Sequence, residues 1–142
     1  MTCEDVTLLS ETECWELLAG RAVGRLVTCV DDEPHIFPVN YAVQRRTILF
    51  RTGEGAKLIS VGINKQVAFE ADDYGFDECG HGAAWSVVVE GVARTLHTPD
   101  QIALAEQAQV LPWTAGRKDH YVRIFPTRVT GRRFTLNRPE GA

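Results

Sequence analysis

Near the start of the chain, apolar residues recur at the three- and four-residue spacing of an amphipathic helix. The sequence predicts a helix over residues 11–20, with Ser10 and Glu13 placed to form a capping box at its start. The residues that carry the helical spacing are Trp15, Leu18, Ala19 and Ala22. Gly20 and Gly24 then mark the end of this helix.

From residue 25 onwards the pattern changes to the two-residue alternation of β-strands. Three alternating runs, separated by polar turns at 31–33 and 44–46, predict a three-stranded meander that ends at Arg51. The central run places on one face His35, Phe37, Val39, Tyr41 and Val43. Pro38 lies in this run and cannot donate a ladder hydrogen bond, so its strand is expected to be a sheet edge or to carry a bulge there.

The rest of the chain alternates between short strands and short helices without a βαβ order. The predicted elements are a helix at 56–61, a strand at 65–70, an irregular segment at 72–84, a strand at 85–96, a helix from Pro99 to about Val110 capped by Thr98, and one bent or two short strands at 121–136. Six or seven strands with two or three helices favour an α+β fold, an antiparallel barrel with helices outside, because closure removes exposed edges. We expect a single domain over 1–142, with residues 1–9 as a flexible N-terminus.

Composition places the chain among ordinary globular proteins. It has 142 residues, of which 44% are hydrophobic and 24% are charged. The first residues are acidic and resemble no secretion signal, and no apolar run could span a bilayer, so we expect a cytoplasmic protein. The net charge of −4 argues against a nucleic-acid partner. Four cysteines without a CxxC pair indicate reduced thiols, and no metal site is expected.

The C-terminal quarter is basic although the whole chain is acidic. Residues 117–138 carry only one acid, Asp119, against Arg117, Lys118, Arg123, Arg128, Arg132, Arg133 and Arg138. The pattern favours a solvated face that pairs with acidic surface. The alternative is that some of these arginines contact a phosphate or a partner chain.

The segment from Phe50 to Lys57 carries the most informative candidate chemistry. A strand ending in Arg51 is followed by Thr52, a glycine loop, and Lys57 in the first turn of the predicted helix. A lysine is unfavourable at a helix N-terminus unless an anion is bound there, so the segment could hold a phosphate. On spacing alone, a surface arginine and lysine beside a loop is the favoured interpretation, because the spacing matches no known phosphate-loop motif.

No arrangement of residues indicates hydrolysis, because the four histidines are far apart and no nucleophile motif is present. An anion site without an acid–base set suggests that a cofactor performs the chemistry. Trp85 begins a strand, where tryptophan is usually a core residue, and Ser86 beside it offers a donor and an acceptor. Trp113 lies in a predicted loop, where it could cover a flat ligand.

The order of the motifs resembles that of the pyridoxamine 5′-phosphate oxidase-like flavoproteins, close to the short bacterial members that include nitroimidazole-reductase-like proteins. The matching segments are Gly24-Arg25-Leu26, Pro38-Val39-Asn40-Tyr41, Phe50-Arg51-Thr52 with Gly55 and Lys57, Trp85-Ser86-Val87-Val88-Val89-Glu90-Gly91, and Thr130-Gly131-Arg132-Arg133-Phe134. The resemblance runs from about Ser10 to Phe134.

The resemblance implies a Greek-key split β-barrel that forms a homodimer with FMN at the interface. Arg51, Thr52 and Lys57 fall where the family holds the FMN phosphate, and Pro38, Val39 and Asn40 fall along the isoalloxazine ring. Trp85 and Ser86 match a strand that contacts the flavin, in some members from the partner chain. The true oxidases continue into a C-terminal segment that this sequence lacks after Ala142, so oxidation of pyridoxamine phosphate is not expected.

The expected function is an FMN-dependent oxidoreductase or flavin reductase that uses a nicotinamide reductant and a small, flat acceptor. Two alternatives remain: a flavin-binding or storage module without turnover, and a reductase that uses deazaflavin. Relatives that bind haem are also known in this superfamily. The resemblance does not identify catalytic residues in this chain.

Overall fold

The computed structural model of this chain describes residues 6–52, 65–111 and 120–137. The seven strands in these residues are β1 (Val6–Leu8), β2 (Val23–Val30), β3 (Glu33–Gln44), β4 (Thr47–Thr52), β5 (Gln66–Phe76), β6 (His81–Thr95) and β7 (His120–Asn137). The two helices are α1 (Glu11–Ala19) and α2 (Pro99–Gln107). The helix expected at 56–61 lies outside the described residues. Neither described helix has the length and apolar composition needed to cross a membrane.

Antiparallel pairing closes six of the strands into a ring. The strand order is β1–β7–β4–β3–β2–β5–β6, and β6 pairs back onto β7. The ring is uneven, because β2 pairs with β5 over only three residues, Arg25–Val27, whereas β6 pairs with β7 along most of its length. The antiparallel split barrel expected from the sequence is therefore confirmed.

The inside of the barrel is filled by one apolar core that α1 closes. The helix begins at the predicted capping box, in which the Glu13 amide donates to Ser10 Oγ and the Ser10 amide donates to Glu13 Oε1. Its buried residues are Cys14, Trp15 and Leu18, whereas Ala19, predicted to share this face, is exposed. The Tyr41 hydroxyl donates to the Leu18 carbonyl oxygen at 2.6 Å. Burial raises the pKa of Tyr41, so this phenol remains a protonated donor.

A second, smaller core lies between the outer wall of the barrel and α2. It consists of the buried residues Leu49, Leu96, Ala105 and Val110. Thr98 caps α2 as predicted, with its hydroxyl accepting from the Gln101 amide, and the helix ends at Gln107. This core covers one side of the barrel wall. The outward faces of β2, β5, β6 and the C-terminal half of β7 are not part of it.

Two segments differ from the sequence expectations. Residues 72–84 are not an irregular segment, because β5 continues to Phe76 and β6 begins at His81 across a short turn. The two strands are paired as far as Phe76–Gly82, where the hairpin extends past the main core, and none of residues 72–84 is buried. Val6–Leu8 lie in the segment expected to be flexible, but they form β1 and pair with Arg132–Phe134 of β7.

Close packing explains why Gly24 of the Gly24-Arg25-Leu26 motif and Gly91 at the end of the Trp85–Gly91 motif are glycines. A side chain at Gly24 would collide with the ring of Phe69, so β2 and β5 can approach only with glycine at this position. A side chain at Gly91 would collide with the Phe125 carbonyl, at the β6–β7 register shift between Glu90 and Gly91. This bulge bends β7, which runs as one continuous strand of 18 residues.

Candidate functional site

The first half of β3 is an edge of the barrel wall. Residues 33–40 pair with β2 in a continuous register, whereas β4 pairs with β3 only from Tyr41 to Gln44. In the described part of the chain, no strand covers the other side of residues 33–40. Pro38 therefore lies at an edge, and the bulge considered as the alternative is absent from this β2–β3 register.

The turn before β3 determines which backbone groups face this edge. Asp31 and Asp32 both have positive φ and form a two-residue turn, so the flanking Val30–Glu33 pair is hydrogen-bonded. Alternate residues from Glu33 onwards then bond to β2, and Pro34, Ile36 and Pro38 direct their backbone groups to the edge. Because proline has no amide proton, the edge over residues 34–38 presents one donor, the Ile36 N–H, beside several carbonyl acceptors.

Arg51 and Thr52 lie at the end of β4, beside this edge. The last paired residues of β3 and β4 are Tyr41 and Phe50, so Arg51 follows directly where β3 begins to be uncovered. The Arg51 guanidinium carbon lies 5.1 Å from the centre of the Tyr121 ring, its cross-strand neighbour on β7. When the face of a guanidinium lies against an aromatic ring, its N–H groups point sideways in the guanidinium plane. In that direction they can still bind a carboxylate or a phosphate.

The three predicted residues on β3 have different exposures. Pro38 is exposed on the outer face of the barrel, and Asn40 is half-buried on the same face. Val39 points into the main core and is buried. Val39 therefore offers a ligand at this edge neither its side chain nor its backbone N–H and C=O, which face β2, whereas the side chains of Pro38 and Asn40 are accessible.

Trp85 and Ser86 occupy opposite faces of β6. Trp85 is partly buried and packs against the main core. Ser86 faces outward, where it borders two adjoining grooves of about 300 and 370 Å³. Both grooves are also lined by Phe134 of β7.

One chain brings together only part of the predicted site. Arg51 and Thr52 lie beside Pro38–Asn40, but β6 is three strands away from β3 in either direction around the ring, about 14 Å measured along the sheet at the usual strand spacing. Trp85 and Ser86 are thus separated from the other predicted residues within the chain. Lys57 and Trp113 lie outside the described residues.

A cluster of charged side chains on the outer face was not predicted from the sequence. Arg25 on β2 contacts Asp72 at 2.7 Å and Glu70 at 3.6 Å, both on β5. Burial raises the pKa of Glu70 to about 7, and the hydrogen bond and negative charge of Asp72 add to this rise, while Arg25 opposes it. The partners are more than 40 residues apart in sequence, so no local pattern could have indicated the cluster.

Comparison with a protein family gives a match over most of the chain. The sequence profile of the family described as pyridoxamine 5′-phosphate oxidase matches residues 10–133. The matched region contains every described element from α1 to most of β7.

Known structures and sequences agree with this match. A solved structure described as the FAD binding protein from Mycobacterium smegmatis is 53% identical, with a TM-score of 0.78, over 90% of this chain and 99% of that chain. A FAD-binding protein from Mesorhizobium loti is 26% identical, with a TM-score of 0.75, over 90% of this chain and 97% of that chain. An uncharacterised protein of Mycobacterium tuberculosis is 51% identical over 92 residues, which are 65% of this chain and 79% of that protein.

Proposed function

The chain belongs to the pyridoxamine 5′-phosphate oxidase family, and we propose that it is a flavin-dependent oxidoreductase that passes electrons to a small, flat acceptor. The observation that carries this proposal is the position of Arg51 and Thr52 beside the uncovered edge of β3. A cation and a hydroxyl at that point suit a phosphate. A strand edge with one donor among carbonyls suits the polar rim of a flat heterocycle.

The donor set of the site fits a flavin nucleotide. The pyrimidine rim of a flavin carries both an N–H donor and carbonyl acceptors, which can pair with the Ile36 N–H and with the carbonyls of Pro34 and Pro38. The planar guanidinium of Arg51 can form two parallel hydrogen bonds with a phosphate. Each requirement of the ligand thus has a matching group on β3 or β4.

A bound flavin would supply the two-electron redox chemistry of the reaction. The protein chain itself binds the flavin and orients it. Arg51 and Thr52 bind the phosphate end of the flavin, and the β3 edge binds the rim of its ring. The side chain of Val39 packs in the barrel core and so holds β3 in place. The reducing equivalents come from a nicotinamide donor and leave on the acceptor, so no dedicated general base is required of these residues.

We propose that the complete site needs a second copy of the chain. Trp85 and Ser86 of one copy lie on the opposite side of the barrel from its own β3 edge, with the core between them, whereas a partner could bring its β6 to that edge. The outer face of the sheet carries exposed apolar side chains at Val23, Ile36 and Tyr74, which a twofold partner would cover. A homodimer with the cofactor between its subunits accounts for both features.

FMN and FAD are the two flavin nucleotides to be distinguished, and a deazaflavin is the third candidate cofactor. Arg51 and Thr52 form a small site that suits a single phosphate. FMN carries one phosphate and is therefore the first candidate. FAD is the second, because the Mycobacterium smegmatis and Mesorhizobium loti relatives are described as FAD-binding proteins. Loading the protein with an equimolar mixture, removing free flavin, and separating the flavins released by denaturation identifies the preferred cofactor.

Anaerobic reduction tests the oxidoreductase against a flavin-storage protein. The flavin-loaded protein is mixed with excess NADH or NADPH, and the bleaching of the flavin absorption is followed before quinone and nitroaromatic acceptors are added. We expect rapid bleaching and repeated turnover with at least one acceptor. Bound flavin that neither nicotinamide bleaches, in a protein that also shows no turnover with any acceptor, would contradict the proposal and favour a storage role.

A further inference from the structure

A pocket of about 400 Å³ lies between α2 and the outer wall of the barrel, beside the turn that joins β3 to β4. Its polar lining includes Arg45, Thr47 and Arg123, and its apolar lining consists of Leu96, Leu104 and Phe125. Thr47 and Arg51 are four residues apart on the same face of β4, which is about 13 Å along a strand. The pocket is therefore distinct from the edge beside Arg51 and Thr52.

Arg123 forms the floor of this pocket, and its hydrogen-bond partners among the described residues are neutral. The residue is 6% exposed. Its Nη1 donates to Thr47 Oγ1 at 2.8 Å, and its Nη2 donates to Gln44 Oε1 at 3.1 Å. Among the described residues, no carboxylate forms an ion pair with Arg123. A buried guanidinium normally has an anionic partner, because neutral acceptors offset only part of the cost of removing the charge from water.

A second cation at the mouth of the pocket increases the need for an anion. Arg45 lines the pocket from the exposed β3–β4 turn. Burial lowers the pKa of Arg123, and the positive charge of Arg45 lowers it further. In the described part of the chain neither arginine forms an ion pair with an acid, and two such neighbouring cations repel each other in a way that a bound anion would relieve.

We propose that this pocket binds a small organic oxyanion, a carboxylate or a phosphate monoester attached to an apolar body. The guanidinium groups of Arg123 and Arg45 contact the oxyanion from the floor and the mouth. Leu96, Leu104 and Phe125 cover the apolar body. A bare inorganic ion would leave these apolar walls in contact with water, so the organic anion is the better ligand.

The β3–β4 turn supplies a matched pair of variants. Arg45 and Arg46 are adjacent and both have positive φ, but their side chains diverge. Arg45 lines the pocket, whereas Arg46 donates to Thr12 Oγ1 of α1 at 2.9 Å. Arg45→Gln and Arg46→Gln therefore remove the same charge from the same turn, and only the first changes the pocket.

Calorimetric titration of the flavin-loaded protein at constant ionic strength tests the proposal. The probes are benzoate, phenyl phosphate, inorganic phosphate and the neutral benzyl alcohol. We expect saturable binding of benzoate or phenyl phosphate, and the stronger of the two identifies the oxyanion. Benzyl alcohol and inorganic phosphate should bind at least tenfold more weakly. Arg45→Gln should weaken binding at least tenfold, with its flavin content unchanged, whereas Arg46→Gln should stay within twofold of the wild type.

Three results would overturn the proposal: no saturable binding of either organic anion, equal loss in Arg45→Gln and Arg46→Gln, or displacement of flavin by the probe. Arg123→Met adds an independent check. In buffer without organic anions its melting temperature should equal or exceed that of the wild type, because a buried charge without an acid is removed, and anion binding should be lost. A folded Arg123→Met protein that still binds the probes would also refute the pocket assignment. If Arg123→Met does not fold, the comparison of Arg45→Gln with Arg46→Gln tests the proposal alone.

Discussion

The guanidinium of Arg51 lies over the ring of Tyr121, with 5.1 Å between the guanidinium carbon and the ring centre. The two residues face each other across the β4–β7 ladder, so the barrel wall itself fixes the position of the charge. This position is next to the part of β3 that no described strand covers. A rigid cation beside a strand edge is the arrangement from which the flavin proposal follows.

Removing the positive charge of Arg51 should weaken flavin binding. In Arg51→Gln the phosphate loses a charge-assisted hydrogen bond, so we expect the dissociation constant for FMN or FAD to rise at least tenfold, about 1.4 kcal/mol or more. Fluorescence titration measures this change, and Arg46→Gln is the control for loss of a nearby exposed arginine. Unchanged affinity in Arg51→Gln would show that another group holds the phosphate.

Tyr121 should act by positioning Arg51. Tyr121→Leu removes the ring beneath the guanidinium, a contact of about 0.5–1 kcal/mol, so flavin affinity should fall by about two- to fivefold. Tyr121→Phe keeps the ring and should bind flavin like the wild type. Equal losses in the two variants would mean that the hydroxyl, and not the stacked ring, matters for binding. Melting temperatures are compared first, because Tyr121 also packs against the α2 core.

The homodimer proposal predicts a specific effect of charge on the outer face of β6. Val88 is half-buried there and lies across the ladder from Glu70, so a single chain should tolerate Val88→Arg. Light scattering of the wild type should give twice the chain mass of 15.8 kDa at micromolar concentration, and Val88→Arg should shift the population to monomer. Leu111→Arg, at an exposed site away from this face, should remain dimeric. A monomeric wild type would contradict the proposed interface.

Glu70 should make the stability of the fold depend on pH. Its pKa is raised from the ordinary value of 4.5 to about 7, so the folded state retains the proton more strongly than the unfolded state. The stability associated with the protonated carboxyl is fully present below about pH 4.5 and is lost as the pH rises through 7. We therefore expect Glu70→Gln to increase the free energy of unfolding at pH 8 by about 1–2 kcal/mol, with the full shift discounted for solvent screening, and to change it little at pH 4.5.

Urea denaturation at the two pH values checks this expectation. Glu90→Gln is the control, because Glu90 lies on the neighbouring strand β6 and is more exposed than Glu70. Only the Glu70 variant should show a gain that depends on pH. An equal gain at both pH values would indicate improved packing and would contradict the titration of Glu70.

The parts of the fold that the sequence predicts are those governed by local patterns. The capping box at Ser10, the N-cap at Thr98 and the β2–β4 meander follow from spacing, and the missing proline amide left an edge or a bulge at Pro38, of which the structure has the edge. The end of the β5–β6 hairpin, residues 72–84, was missed because it projects beyond the core and none of its residues is buried. Local pattern could not reveal it, because this segment is held by backbone pairing within the hairpin and with the end of β7.

The candidate site was predicted less completely, for a similar reason. Arg51, Thr52 and Pro38 lie on two strands joined by one turn, within 15 residues of sequence, so the predicted meander already places them near one another. The alternation of β7 places Arg123 on the outer face, and the sequence therefore favours a solvated arginine. Its burial depends on α2 folding over that face, which is a tertiary contact.

The most direct test of the central claim is the absorption spectrum of the purified protein after incubation with FMN or FAD and removal of free flavin. The account predicts retained flavin bands at about one flavin per chain for the wild type and a much smaller fraction for Arg51→Gln. A wild-type protein that remains colourless with both flavins would contradict a flavin site at the β3 edge.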